Sequence, residues 1–254
     1  MAPTPQLIVG NWKMHTLRAD AERLAQEVRD GASAVAAQLL ICPPAIHLHH
    51  VGKILAGSHV GLGGQDCHQT PEGAHTGDIS APMLRDAGAG WVILGHSERR
   101  QNHDETDELV REKAVAAVEA GLTPIVCVGE TEDHRSGGKE TEIVGWQIAG
   151  SLPKDFPGLV AYEPVWAIGS GKTPTAEEVA AMHAFIREEL GRQFGTAGAA
   201  IPILYGGSVK PANAAELLAV PHVGGALVGG ASLKAADFLA IAGAGSCAAA
   251  GRSA

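Results

Sequence analysis

The chain has 254 residues, a mass of 26.1 kDa, 45% hydrophobic residues and a formal net charge of −9. This hydrophobic content argues against a disordered chain, and an acidic balance without runs of like charge argues against nucleic acid as the main partner. No apolar run approaches the ~20 residues that span a membrane, residues 1–6 lack the features of a secretory signal, and the 4 cysteines form no CxxC pair, so we predict a cytoplasmic chain with reduced thiols and no metal cluster.

Short apolar runs alternate with longer helical patterns along the whole chain. The apolar runs predict strands at residues 6–11, 39–42, 59–65, 91–95, 123–128, 159–162, 203–205 and 226–228. The helical patterns cover residues 18–30, 45–56, 81–87, 104–120, 138–151, 176–194, 211–219 and 231–242. The tail, from about residue 244, consists mainly of small residues and is predicted to fray.

The predicted strands are continuously apolar, which is typical of parallel strands buried on both faces. Strand–helix units without a linker-like break predict a single α/β domain spanning residues 1–254, folded as a (β/α)8 barrel. A doubly wound open sheet uses the same units and is the alternative. In both folds the functional groups gather at the C-terminal ends of the strands, so we examined the residues that follow each strand.

Lys13 follows the first predicted strand in the sequence Gly-Asn-Trp-Lys-Met at 10–14. A lysine at a barrel mouth offers a fixed positive charge to a developing oxyanion or to a phosphate. A lone lysine is usually a solvated surface charge, but its place at a strand end beside Asn11 favours the functional interpretation.

His96 follows the fourth strand in Gly-His-Ser-Glu-Arg-Arg at 95–100. If the next residues open a short helix, its N-terminus disfavours the imidazolium and keeps the ring neutral. A neutral imidazole can donate a hydrogen bond to a carbonyl oxygen. The alternative is a structural histidine that caps a turn, and Glu98 is assigned a supporting role only.

Two further features receive structural interpretations. His47, His49 and His50 lie on a predicted helix without partnering cysteines or carboxylates, which predicts an exposed helix face rather than a metal site. Cys127 ends the fifth strand, where a small buried thiol is the better interpretation.

Residues 161–172 combine a strand end, a carboxylate and an apolar connection. Glu163 stands at the end of the strand, apolar residues follow, and glycine occurs at 169 and 171. Such a loop can fold over a substrate, exclude water and make the acid more basic. An ordinary buried strand–helix turn is the alternative. A nucleotide-binding P-loop is disfavoured because Trp166 stands where that motif needs glycine.

Diglycines follow the last two strands, within Tyr205–Lys210 and Val228–Ala231. Glycines there let backbone N–H groups approach an anion, and these loops form the usual phosphate site of a barrel. Tight corners chosen for packing are the alternative. Taken together, an acid under a lid, a neutral histidine, a cation and a phosphate cradle suit proton abstraction next to a carbonyl in a small phosphorylated substrate.

The five motifs at 10–14, 95–100, 161–169, 205–209 and 228–231 resemble those of the triosephosphate isomerase family and occur in its order. The resemblance implies a TIM barrel without a cofactor that interconverts dihydroxyacetone phosphate and D-glyceraldehyde 3-phosphate in glycolysis and gluconeogenesis. It implies proton transfer by Glu163, carbonyl polarisation by His96, and charge and hydrogen-bond support from Lys13 and Asn11.

The same resemblance assigns the remaining site residues. It places phosphate-binding N–H groups at Gly171, Ser208, Gly229 and Gly230. It implies that residues 164–172 close as a lid, latched by Tyr205 and Ser208, with lid residues Pro164, Trp166, Ile168, Gly169, Ser170 and Lys172. Glu98 and Cys127 are expected behind the reacting groups.

The family resemblance also implies a homodimer formed through the loop at 65–77, with Gln65 and Thr76 as contacts. His15, His75 and Asp78 depart from the usual family residues, outside the expected chemistry. Two other hypotheses stay open at this point. Another phosphosugar enzyme, such as a lyase, needs a Schiff-base lysine or a second carboxylate at a strand end. A phosphate-binding protein without activity would bind a triose phosphate without turnover.

Overall fold

The computed structural model describes residues 5–168 and 172–251, with side chains through residue 245. Eight parallel strands close into a barrel in chain order, which confirms the predicted single-domain (β/α)8 barrel and excludes the open sheet. The strands are Leu7–Asn11 (β1), Gln38–Cys42 (β2), Val60–Gly64 (β3), Trp91–Leu94 (β4), Thr123–Val128 (β5), Leu159–Tyr162 (β6), Ile203–Tyr205 (β7) and Val223–Val228 (β8).

Helices surround the barrel and cover its outer face. They are Arg18–Gly31 (α1), Leu48–Leu55 (α2), Ala81–Asp86 (α3), Ser97–Asn102 (α4), Asp107–Glu119 (α5), Glu132–Ser136 (α6), Glu140–Ser151 (α7), Ala176–Phe194 (α8), Thr196–Ala200 (α9), Ala214–Ala219 (α10) and Ala235–Gly251 (α11). Within the described ranges, none of these helices combines the length and the apolar character that crossing a membrane requires.

Two separate apolar layers result from the alternation of side chains along each strand. Inside the barrel, one cluster includes Val9, Ile125 and Ala161. Between the strands and the helices, a larger cluster includes Ile8 and Val126 from the same strands. Every strand is therefore buried on both faces, as its continuous apolar sequence predicts.

Strand β8 begins at Val223, three residues before the predicted start at Ala226. The sequence pattern failed because Gly224-Gly225 looks like a turn. In the barrel, a Cβ atom at Gly225 would lie 1.9 Å from the carbonyl oxygen of Leu7, and φ is +152°. Glycine at this position lets β8 approach β1 and close the barrel.

The long helix predicted at 104–120 begins instead at Asp107. Asp104 has φ +53°, outside the helical region. Thr106 then caps the helix, because its side chain accepts a hydrogen bond from the N–H of Leu109 at 3.2 Å. The sequence pattern began the helix at Asp104, because aspartate is also common near a helix start. It did not distinguish Asp104 from Thr106, the residue that caps the helix.

The last helix differs from its prediction at both ends. Residues 230–233 form a 3-10 turn, and α11 runs from Ala235 to Gly251 rather than ending at 242. Gly245 faces the barrel so closely that a Cβ there would lie 2.9 Å from Oε1 of Gln6. Glycine at this position serves close packing, whereas the sequence pattern takes it as a helix end. Fraying of the tail stays a prediction.

His183 on α8 is a buried titratable group outside the barrel mouth. Its ring lies 5.9 Å from the ring of Tyr162 and 6.3 Å from that of Tyr205. Burial lowers the pKa of His183 to about 4, and neither ring nitrogen has a hydrogen-bond partner within the described ranges. Between pH 6.5 and 4 the unfolded chain therefore binds more protons at this residue than the folded chain does.

We expect this group to destabilise the fold by about 3 kcal/mol as the pH falls from 7 to 4, because each unit of pKa difference corresponds to about 1.4 kcal/mol. Urea unfolding across this range checks the value. His183→Leu should lose stability less steeply on acidification, while exposed His103→Leu should follow the wild type. An unchanged pH slope in His183→Leu would contradict the assignment.

Candidate active site

The barrel interior delivers two polar side chains to the mouth formed by the C-terminal ends of the strands. Asn11 follows the inward-facing Val9 by two residues, and Glu163 follows the inward-facing Ala161 by two. Because side chains alternate along a strand, both continue the inward row into a cavity of about 810 Å3. The predicted groups Lys13, His96, Ser208, Gly229 and Gly230 line the same cavity.

Glu163 and His96 form a buried hydrogen-bonded pair at the bottom of this cavity. Oε1 of Glu163 lies 2.9 Å from Nε2 of His96, and Oε2 accepts the N–H of Ser97 at 2.9 Å. Glu163 is 2% exposed and His96 is 6% exposed. The predicted acid and the predicted histidine therefore meet, although they are 67 positions apart in the sequence numbering, from 96 to 163.

The tautomer of His96 follows from its contact with α4. Nδ1 accepts the N–H of Glu98 at 3.2 Å, and the ring caps the N-terminus of this short helix. Nδ1 therefore carries a lone pair, and the ring proton is on Nε2, where it points at Glu163. This geometry supports a neutral imidazole that can donate a hydrogen bond into the cavity.

Each member of the pair shifts the pKa of the other. Burial raises the pKa of Glu163, but His96 and the Ser97 amide more than offset this and leave it below its ordinary value. Burial lowers the pKa of His96, but the Glu163 carboxylate raises it above its ordinary value. A molecule that separates the pair removes both charge effects, and burial then favours a more basic Glu163 and a neutral His96.

Gly129, directly after β5, determines where the backbone of Glu163 can lie. A Cβ atom at Gly129 would sit 1.7 Å from the carbonyl oxygen of Glu163. The N–H of Glu163 donates to the carbonyl oxygen of Val128 at 2.8 Å. The two strand ends are thus in contact at a position where only glycine fits.

We expect Gly129→Ala to lower kcat by a factor on the order of 10², since a displacement near 1 Å can cost that much. Gly191→Ala on α8 is the matched control, because nothing lies within 4 Å of a Cβ there. Steady-state kinetics and thermal unfolding of both variants check the expectation. A Gly129→Ala protein with wild-type kcat and melting temperature would contradict it.

Lys13 is held in an uncommon backbone conformation, with φ +52°. Its N–H donates to Oδ1 of Asn11 at 3.0 Å, and its carbonyl oxygen accepts Nε2 of Gln65 at 2.9 Å. Its Nζ donates to Oε1 of Glu98 at 2.5 Å. These contacts fix the ammonium group at the cavity and place Glu98 beside it.

Ser208, Gly229 and Gly230 form the cavity wall that consists of the loops after β7 and β8. Asn213 shapes the first loop, because its Nδ2 donates to the carbonyl oxygen of Ser208 at 3.1 Å. Ser232 shapes the second, because its Oγ donates to the carbonyl oxygen of Gly229 at 2.7 Å. The predicted phosphate-binding residue Gly171 lies outside the described residues.

The start of the predicted lid is tied to the loop after β5. Nε1 of Trp166 donates to Oε1 of Glu130 at 2.8 Å, and Arg135 lies 4.6 Å from the centre of the Trp166 ring. Ile168 lines the cavity, and Lys172 pairs with Glu132 at 2.8 Å.

Pro164 leads into a 3-10 turn at 165–167. Two lid residues of the sequence analysis, Gly169 and Ser170, lie outside the described residues. Trp166, in the described part of the lid, therefore connects the end of β6, which carries Glu163, to Glu130. Glu130 lies more than 30 positions earlier in the chain.

Tyr205 and Cys127 lie below the cavity and are both buried. The Tyr205 hydroxyl has no hydrogen-bond partner within the described ranges, and burial raises its pKa. Burial also raises the pKa of the Cys127 thiol well above its ordinary value, and the Glu163 carboxylate adds to this. Cys127 is therefore a buried thiol beside Glu163 whose pKa disfavours the thiolate.

Four groups that build the site were not singled out from the sequence: the Ser97 amide, Asn213, Ser232 and Arg135. Each acts through a backbone atom or through a partner distant in the chain. Asn213, three residues after Lys210, also accepts the Lys210 N–H at 2.8 Å, and this local turn signal could have identified it. Ser232 likewise contacts Gly229 three residues earlier, whereas the Ser97 amide and Arg135 act on partners that no short-range pattern indicates.

The three histidines of residues 47–50 do not share one exposed face, so that prediction was wrong for His47. His49 and His50 are exposed, but His47 is 7% exposed and its Nε2 lies 3.1 Å from the carbonyl oxygen of Thr16. His47 belongs to a 3-10 turn at 45–47 that precedes α2. Because His47 lies in this 3-10 turn and not in α2, its side chain points into the protein.

This chain is similar to known proteins over most of its length. The family model described as triosephosphate isomerase matches residues 6–245. The triosephosphate isomerase of Granulibacter bethesdensis is 65% identical over 243 residues, covering 93% of this chain and 98% of that protein. That of Gluconacetobacter diazotrophicus is 56% identical, covering 93% and 96%. A crystal structure of triosephosphate isomerase from Bartonella henselae has a TM-score of 0.89 at 46% identity, covering 95% of this chain and 99% of that one.

Proposed function

We propose that this chain, which belongs to the triosephosphate isomerase family, carries out the reaction of that family with Glu163, His96, Lys13 and Asn11. It is an isomerase that interconverts dihydroxyacetone phosphate and D-glyceraldehyde 3-phosphate, a step of glycolysis. The observation that carries the residue assignment is the 2.9 Å contact between Glu163 and His96 at the bottom of the cavity. Around this contact the cavity offers a base, a hydrogen-bond donor and a cation together.

Glu163 removes the proton from the carbon next to the substrate carbonyl and returns it to the neighbouring carbon. In the free site its two oxygens are engaged by His96 and the Ser97 amide, which keep its pKa low. When the carboxylate leaves these partners for the substrate carbon, burial raises its pKa and makes it a better base. Binding of the substrate therefore activates the base.

His96 donates its Nε2–H to the carbonyl oxygen on which negative charge develops, and it moves the proton of the neighbouring hydroxyl between the two oxygens, so that carbonyl and hydroxyl exchange places. The Glu98 amide holds Nδ1 as an acceptor, so the ring enters the reaction neutral. Its donor is already oriented and needs no rearrangement during the step. Lys13 balances the negative charge of the enediolate, and Asn11 donates a hydrogen bond on the same side of the cavity.

The phosphate group binds at the wall formed by Ser208, Gly229 and Gly230, with Gly171 approaching from the lid. Glycines leave the backbone N–H groups accessible to an anion. The side chains of Lys210 and Lys234, which line the same cavity, add positive charge. This wall anchors one end of the substrate while Glu163 acts at the other.

We infer that residues 164–172 close over the bound substrate and exclude water from the enediolate. The Trp166–Glu130 hydrogen bond holds the start of the lid in the conformation described above. Tyr205 is suited to hold the closed lid. Its buried hydroxyl has no hydrogen-bond partner in the described ranges, which is costly unless the closed lid provides one. Ser208 completes the latch on the phosphate side.

Isomerisation in D2O tests whether a base transfers the proton. We expect deuterium at C1 of the dihydroxyacetone phosphate formed from glyceraldehyde 3-phosphate, detected by NMR, because a proton on a carboxylate exchanges with solvent. The Glu163→Gln variant should lose both turnover and deuterium incorporation. Wild-type turnover in Glu163→Gln would show that a group other than this carboxylate transfers the proton, and would contradict the proposal.

We further propose a homodimer formed through the loop after β3, with Gln65 and Thr76 near the contact. Thr76 is exposed on this loop. Five of the large apolar side chains that are most exposed in the described chain lie in or beside the loops after β1, β2 and β3: Met14, Leu17, Ile46, Ile79 and Met83. Large apolar side chains that are exposed on neighbouring loops are typical of a protein interface.

Light scattering of the purified protein checks the dimer, with an expected mass of twice 26.1 kDa. A monomer mass would contradict the proposed subunit contact without affecting the residue assignment in the cavity. For the site of action we propose the cytoplasm, because both triose phosphates are intermediates of glycolysis and three described cysteines are free and buried.

A further inference from the structure

The side chain of Gln147, on α7, binds both polar backbone groups of Gly129, the residue directly after β5. Oε1 of Gln147 accepts the N–H of Gly129 at 2.7 Å, and Nε2 donates to the carbonyl oxygen of Gly129 at 3.2 Å. A side-chain amide carries donors and an acceptor, so it can satisfy both groups of one residue. Gln147 is not among the described residues that line the substrate cavity, so its role in this place is not contact with substrate.

Gly129 lies where the chain after β5 has a neighbouring strand on one side only. The pairing of β4 with β5 ends at Val126, three residues before Gly129. On the side of β6 the pairing continues, because the N–H of Glu163 donates to the carbonyl oxygen of Val128 at 2.8 Å. Gln147 therefore supplies Gly129 with the hydrogen bonds that β4 no longer provides.

The position of Gly129 determines the position of the proposed base. A Cβ atom at Gly129 would lie 1.7 Å from the carbonyl oxygen of Glu163 and 3.3 Å from its Cα atom. The two backbones are therefore in direct contact, and a shift of Gly129 shifts Glu163 with it. Proton transfer requires the reacting atoms to approach to about 3–3.5 Å, so a small shift of the carboxylate has a large effect on the rate.

A small cavity of about 70 Å3 is lined by Gln147, Gly129 and Glu163 together. Its volume is sufficient for a water molecule. If the side chain of Gln147 is removed, water can therefore satisfy the N–H and the carbonyl oxygen of Gly129. Water is not attached to α7, however, so it does not fix the distance between Gly129 and the helix. Removal of the side chain should affect the placement of Glu163 more than the stability of the fold.

We infer that Gln147 is a positioning residue for proton transfer, because it holds the backbone of Gly129 and, through Gly129, the backbone of Glu163. This inference rests on the proposed isomerase function and adds to it a residue outside the substrate cavity. The phosphate wall lies on the loops after β7 and β8, so substrate binding does not depend on this contact. The contribution of Gln147 therefore falls on kcat and not on KM.

Kinetics of Gln147→Ala in two backgrounds test this role. In the wild type we expect kcat to fall about tenfold with little change in KM, since a full 1 Å displacement can cost about 10². Gln193→Ala, at an exposed glutamine in the last turn of α8, is the matched control and should keep wild-type kcat. In the Glu163→Asp background the carboxylate is already set back, so Gln147→Ala should lower kcat by less than about twofold more. Wild-type kcat in Gln147→Ala, or an equal loss in both backgrounds, would overturn the inference.

Amide hydrogen exchange measures the same contact without any substrate and also shows whether the variants fold. The N–H of Gly129 should exchange at least about tenfold faster in Gln147→Ala than in the wild type, and at the wild-type rate in Gln193→Ala. Unchanged exchange at Gly129, together with normal wild-type turnover of glyceraldehyde 3-phosphate, would overturn this inference and leave the proposed function intact. An inactive wild-type chain would overturn both.

Discussion

The Glu163→Asp variant is expected to lose kcat by a factor on the order of 10³, within the range that a positioned base contributes, while KM changes little. The shorter side chain keeps its negative charge but sets the carboxylate back by one methylene. Substrate binding depends mainly on the phosphate wall and on Lys13, which this change leaves in place.

The backbone of residue 163 cannot move to compensate for the lost length. Its N–H is bound to the carbonyl oxygen of Val128 at 2.8 Å. Its carbonyl oxygen is in contact with Gly129, where a Cβ would already clash at 1.7 Å. The shortened carboxylate therefore remains distant from the substrate carbon, and the effect falls on proton transfer.

A coupled assay with glyceraldehyde 3-phosphate measures this effect. Glu177→Asp, an exposed acid in the first turn of α8, makes the same chemical change away from the cavity and should keep wild-type kcat. Circular dichroism verifies that both variants fold. Near-normal turnover in Glu163→Asp would show that another group is the base.

The Lys13→Met variant is expected to lose kcat/KM by a factor on the order of 10³, which corresponds to the loss of one preorganised charge at a developing oxyanion. Glu98 lies 2.5 Å from Nζ of Lys13. Removal of the lysine leaves this carboxylate without its cation beside the cavity, and it then repels the anionic substrate. Both kcat and KM should therefore change.

A second substitution separates the two effects. In Lys13→Met with Glu98→Gln, the repulsion disappears, so KM should return towards the wild-type value while kcat stays low. Lys53→Met, at an exposed position on α2, is the control for the loss of a lysine. A Lys13→Met variant with kcat/KM within tenfold of wild type would contradict the role of this charge.

The barrel and the groups at its mouth could be predicted because their signals are local. Alternating apolar and helical stretches define the units, and a polar residue at a strand end is visible in the sequence. The cluster of Val9, Ile125 and Ala161 inside the barrel agrees with the continuous apolar strands. The positions of Asn11 and Glu163 follow from the same strand alternation.

The features that the sequence did not indicate depend on contacts between distant residues. From the sequence, Gly225 looks like a turn residue. Only the structure shows that the carbonyl oxygen of Leu7 lies directly beside it. Gln65 donates to the carbonyl oxygens of Lys13, which follows β1, and of Cys42, which ends β2. No short-range pattern specifies either contact.

Pairing between β1 and β8 joins the two ends of the chain, with Gly10 opposite Val228. A chain that is still being synthesised contains Lys13 and Asn11 long before β8 has been made. Turnover can begin only when that strand has paired with β1, so the appearance of activity during refolding or translation reports that the barrel has closed. A truncated chain that ends before residue 223 should therefore be inert, however much helix it forms.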